Sequence, residues 1–84
     1  MVGRTPAKYR VAARDAAALA LVLRRRREDL QWSRDRLGRT TGLSVATVRA
    51  IETGRVREPG FFTVLAMAHA LGLGLSELSN LTGA

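Results

Sequence analysis

The stretch RDRLGRTTGLSVATVRAIET, residues 34–53, restricts the fold more than any other part of the chain. Two helices that meet steeply across a tight turn make several demands at fixed spacing. The first helix needs a small residue where the second crosses it, and Gly38 supplies one. The turn needs a residue free to take the left-handed conformation, which Gly42 provides, followed by an apolar plug, which Leu43 provides. The second helix needs two apolar residues three apart on its inner side, and these are Val48 and Ile51. Leu37 fills the remaining inner position. Each requirement alone is weak, but together at this spacing they are specific.

Two short helices cannot bury a core alone, and the flanking sequence provides more. Helical periodicity begins near Val11 and places Leu19, Val22, Leu23 and Leu30 near one face, ending at Leu30-Gln31. Ser33 then caps the second helix with Asp35 in its first turn, Gly42 ends it, Ser44 caps the third, and Gly54 stops that one. After a basic loop, RVREPG, a fourth helix runs from Pro59 or Gly60 to Leu71 with Phe61, Leu65, Ala68 and Leu71 on one face. A short fifth helix starts at Ser76 and carries Leu78 and Leu81. The expected architecture is an all-α, compact five-helix bundle in one domain, residues 11–84, with its two-helix core at 33–54. Residues 1–10, polar, basic and broken by Gly3 and Pro6, read as a flexible arm.

Charge narrows the function. Lysine and arginine outnumber acids 14 to 7 in 84 residues, a formal charge of +7. A domain this basic meets a polyanion, nucleic acid before an anionic membrane, unless the charge serves solubility alone. The surplus is confined: all 14 basic residues lie in residues 1–57, and residues 58–84 carry only Glu58 and Glu77. Ala16 to Leu23 is apolar but runs into Arg24-Arg25-Arg26-Arg27 instead of a cleavage site, and it is far too short to span a bilayer. A cytoplasmic, nucleoid-associated location is expected. With no cysteine and a single histidine, His69, no metal site or disulfide is expected, and no cofactor. No phosphate loop or nucleophile–base set suggests an enzyme.

The pattern Leu23, Arg27, Ser33, Leu37-Gly38, Gly42, Val48, Ile51-Glu52, Gly54-Arg55, Pro59, Leu65, Ala68, Leu71-Gly72 resembles the lambda-repressor-like, or Cro/XRE, helix-turn-helix family over about residues 19–81. The resemblance implies a DNA-binding domain with its third helix in the major groove. It implies that Arg27 and Glu52 pair structurally, tying the first helix to the end of the third. It places Arg34 where the family commonly has Gln on a phosphate, a departure that suits phosphate still better. It assigns Arg55 and Arg57 to the loop that grips the DNA backbone, and base reading to Val45, Ala46 and Ala50. Ser44, Thr47 and Arg49 on the same helix complete the candidate DNA-binding set.

Those base-reading positions are unusual, because alanine and valine cannot hydrogen-bond to a base. Three readings stand. Arg49 reads guanine while Val45 and Ala46 lie against thymine methyls; or phosphate contacts dominate and discrimination is low; or this face does not bind DNA. Among the remaining cations, Arg24, Arg25 and Arg26 are expected to be mostly solvated, since four consecutive residues point all round a helix. Arg4, Lys8 and Arg10 form either a DNA-tracking arm or a disordered tail. Trp32 is expected at the corner of the first two helices, packed in or near the core, and His69 on the surface.

Residues 61–84 hold one charged residue, Glu77, and are apolar on more faces than a small core needs. Exposed Phe62, Met67, Leu73, Leu75 or Leu81 would make a sticky patch. The expected explanation is a homodimer through the C-terminal helices, residues 60–84. The expected function is a sequence-specific double-stranded DNA-binding transcriptional regulator, a repressor. The alternatives are an antitoxin whose apolar C-terminal helices bind a toxin, and a low-specificity architectural DNA-binding protein.

Overall fold

The computed structural model describes residues 13–74 and residue 77. The expected arm at residues 1–10, and all of the fifth helix except Glu77, lie outside the described residues. Among these there are four helices and no strand: α1 (Ala13–Asp29), α2 (Arg34–Thr41), α3 (Val45–Glu52) and α4 (Phe61–Ala70). The all-α architecture is as expected, with four helices described where five were anticipated.

The caps follow the local chemistry of the sequence. Ser33 Oγ accepts the Arg36 N–H at 3.0 Å, and Ser44 Oγ accepts the Thr47 N–H at 3.0 Å, each satisfying a donor that the first turn leaves open. Gly42 ends α2 at φ 80°, with its N–H donating to the Gly38 carbonyl at 2.8 Å. Gly38 lies against the backbone of the turn that leads into α3. A Cβ placed there would stand 2.7 Å from the Leu43 carbonyl oxygen, inside any normal contact. The small residue is thus required by the backbone of the turn entering α3.

One core holds the four helices together. Leu19 and Leu23 of α1, Leu37 of α2, Val48 and Ile51 of α3, and Val64, Met67 and Leu71 from α4 and its end are buried in one cluster. Trp32, Leu43, Val56, Ala70 and Leu73 pack half-buried against it. Trp32 thus sits at the α1–α2 corner as expected, with the Arg36 guanidinium over its ring at 4.3 Å from the centroid.

Two details of the sequence reading change. Leu30 is 38% exposed instead of continuing the buried face of α1. The helix stops at Asp29, and Gln31 takes φ 60°, turning the chain so that its N–H reaches the Glu28 carbonyl and the Trp32 N–H reaches that of Arg27. This is the closed end usually made with glycine. On α4 the buried stripe is Val64, Met67, Ala68 and Leu71, while Phe61 and Leu65 are only half-buried. Met67, anticipated in an exposed patch, is fully buried, whereas Phe62 is 80% exposed. An almost uniformly apolar helix offers no contrast from which to choose a face, so its neighbours decide the rotation.

Candidate nucleic-acid interface

With Val48, Ile51 and Glu52 buried, α3 has one outward side. Val45 is 37% exposed; Ala46 and Arg49 are exposed; Ala50 is half-buried. Ala50 therefore lies at the edge of that face and not at its centre. The hydroxyls of Ser44 and Thr47 sit at its start. Ser44 Oγ donates to Thr47 Oγ1 at 2.9 Å while it caps the helix, so both are already committed to local structure. At the other end Thr53 Oγ1 donates back to the Arg49 carbonyl at 2.8 Å.

The basic loop after α3 alternates. Val56 turns inward against the core, which leaves Arg55 and Arg57 on either side of it exposed. Pro59 is buried just before α4. An apolar anchor between two arginines fixes the loop's path and aims both cations outward.

Behind α3 lies an ionic cluster centred on Glu52, whose side chain is fully buried. Arg27 meets it with two parallel bonds, Nε to Oε2 at 2.7 Å and Nη2 to Oε1 at 2.9 Å. Arg27 Nη1 donates to the Trp32 carbonyl at 2.7 Å. The pairing implied by family resemblance is thus present, and it extends to the α1–α2 corner. The Glu52 hydrogen bonds raise the Arg27 pKa above its ordinary value; burial opposes this, and the Glu52 and Glu28 charges reinforce it. Arg27 is a permanent cation.

Two arginine contacts escaped the sequence reading. Arg34 Nε also donates to Glu52 Oε1, at 3.0 Å, so this residue is not simply a free cation at the start of α2. Arg26 is exposed, as expected, but it also donates Nε to the Leu71 carbonyl at 2.8 Å and closes the end of α4. No local signal marks a contact across 45 residues of sequence. His69 is exposed, as anticipated. Among the described residues no cluster of three metal-ligating side chains occurs, and no helix is long and apolar enough to cross a membrane.

Two short capped helices, joined where a glycine is required and backed by α1 and α4, define a helix-turn-helix domain. The family model described as a helix-turn-helix domain matches residues 18–81 of this chain. The chain belongs to that family, in accord with its resemblance to the DNA-binding domains of the Cro/XRE kind. No curated protein matches the chain.

Proposed function

We propose that the protein binds double-stranded DNA sequence-specifically and regulates transcription, acting as a repressor with α3 in the major groove. The observation that carries this reading is the division of α3. Its inner side is locked by Val48, Ile51 and Glu52, and its outer side presents Val45, Ala46 and Arg49 beside a loop that exposes Arg55 and Arg57. Arg55, Arg57 and Arg34 bind phosphates and set the register. Arg49 reads guanine, the small side chains let the helix lie deep, and Val45 and Ala46 meet thymine methyls. Ser44 and Thr47 stand at the helix entrance, next to the backbone. No catalytic step and no cofactor enter this reading.

A homodimer through the C-terminal segment, residues 60–84, would present two such helices to successive major grooves about 34 Å apart. Phe62, 80% exposed at the start of α4, supports an apolar contact of that kind. The scarcity of hydrogen-bonding groups on α3 favours a second reading, a low-specificity DNA-binding protein. Selection of duplexes from a random library at physiological salt separates the two. A two-fold symmetric enriched sequence supports the dimeric regulator. Salt-sensitive binding without enrichment supports the low-specificity reading. The mass of the protein alone in solution, near 9.1 kDa or twice that, tests the dimer, and a monomer turns attention to a partner protein such as a toxin.

A further inference from the structure

Glu52 has one more cation than it needs. Arg27 alone neutralises it with a two-bond fork, and all three Arg27 nitrogens are turned inward, the third onto the Trp32 carbonyl. Arg34 then adds its Nε–H to Oε1 at 3.0 Å. The three-residue cluster carries a net positive charge, and this resides on Arg34, the one guanidinium that stays 28% exposed. Because Arg34 engages Glu52 through Nε, the edge formed by its two Nη groups is left without a partner among the described residues. That edge has the spacing of two phosphate oxygens.

We infer that Glu52 is a positioning residue for DNA binding: it holds Arg34 by Nε so that the Nη edge meets a backbone phosphate in fixed register with α3. The inference rests on the proposed DNA-binding function. Glu52 is the last residue of α3 and Arg34 the first of α2, so the bond ties the phosphate grip directly to the helix that reads bases. An arginine held in advance also loses less side-chain freedom on binding than a free one. The competing account is that Arg34 merely occupies a spare lone pair of Glu52, with no part in binding.

The test is a binding cycle on the full chain with a random-sequence duplex, over about 50–200 mM salt. Arg34→Ala is expected to weaken binding about tenfold and to flatten the salt slope by about one per protomer. Glu52→Gln leaves one acceptor oxygen for three donors. It is expected to weaken binding in the parent and to have no further effect in the Arg34→Ala background. If Glu52→Gln weakens both backgrounds equally, Glu52 acts only on the fold and the inference is overturned, while the phosphate role of Arg34 survives. If Arg34→Ala changes neither affinity nor slope, the inference falls with the contact itself, and the slope of Arg55→Ala shows separately whether the duplex-binding reading stands. Should Glu52→Gln fail to fold, Arg34→Lys keeps the charge without the fork. A loss close to that of Arg34→Ala supports positioning, and full retention of affinity and slope refutes it.

Discussion

Replacing Glu52 by Leu removes the only anion in a buried cluster of three charged side chains. Its carboxylate is fully buried and receives three bonds, two from Arg27 and one from Arg34. Without it Arg34 can turn to solvent, but Arg27 cannot, since its side chain is only 10% exposed. The cost of stranding one partner of such a pair is about 3–5 kcal/mol. A domain of 84 residues has a total stability of about 4–13 kcal/mol at the usual 0.05–0.15 per residue. The single variant should therefore lose a large part of its stability, a fall in Tm of about 12–40 °C for a domain of this size.

The informative variant is the pair. Arg27→Met with Glu52→Leu removes both buried charges and fills similar volume with apolar atoms, a change that is often neutral or stabilising. One cost remains, because the Trp32 carbonyl loses the Arg27 Nη1 donor, worth about 1 kcal/mol. The double variant should stand within about 2 kcal/mol of the parent, above the Glu52→Leu single. Urea unfolding with an unchanged m value measures all four corners of the cycle. If the double variant is as unstable as Glu52→Leu, the penalty does not come from the stranded charge and the reasoning is wrong.

Other outcomes follow from the same geometry. Gly38→Ala gains about 1 kcal/mol of helix propensity but drives a Cβ to 2.7 Å from a backbone oxygen, at a cost of about 1–3 kcal/mol; urea unfolding should show no gain and up to about 2 kcal/mol of loss, and a clear stabilisation would contradict the close approach. Gln31→Gly relieves a left-handed non-glycine residue at φ 60° and should stabilise by about 0.5–1 kcal/mol in the same assay, against the usual penalty for adding glycine. Arg49→Ala should change which duplexes are enriched from a random library, whereas Arg55→Ala should weaken all duplexes alike and flatten the salt dependence; uniform weakening by Arg49→Ala would make Arg49 a phosphate contact.

What was legible in the sequence was local or sterically forced. Ser33, Ser44 and Gly42 announce their roles because a cap acts within three or four residues of itself. Gly38, Leu37, Val48 and Ile51 announce theirs because two crossing helices tolerate few alternatives. The Arg27–Glu52 pair was visible only through family resemblance, since nothing in either segment points to the other. Leu30 was misplaced because Gln31 carries no mark of the left-handed turn it makes. The α4 face was misjudged because Val64 and Met67 compete with Phe61 and Leu65 on equal apolar terms. The Arg26 and Arg34 contacts were invisible for a further reason: arginine is long enough to serve several partners, and only the tertiary arrangement selects among them.

The bareness of α3 links specificity to oligomeric state. In the proposed complex Val45, Ala46 and Ala50 would lose almost no side-chain entropy on docking, so α3 would approach DNA at little ordering cost. They also return no hydrogen bonds, which leaves Arg49 as the one side chain on that face able to make a two-bond contact to a base. One such contact discriminates by about 1–3 kcal/mol, roughly 5- to 150-fold. Operator-specific proteins prefer their sites by about 4–10 kcal/mol. A single α3 therefore falls short of that range, and two acting on a symmetric site, at about 2–6 kcal/mol, enter it. Comparing a selected palindrome with its half-site and with random duplex measures this directly. The palindrome should exceed random DNA by roughly the square of the half-site ratio. A half-site ratio above about a thousandfold would show that α3 reads more than Arg49 can supply, and would overturn the assignment of its alanines to a near-silent face.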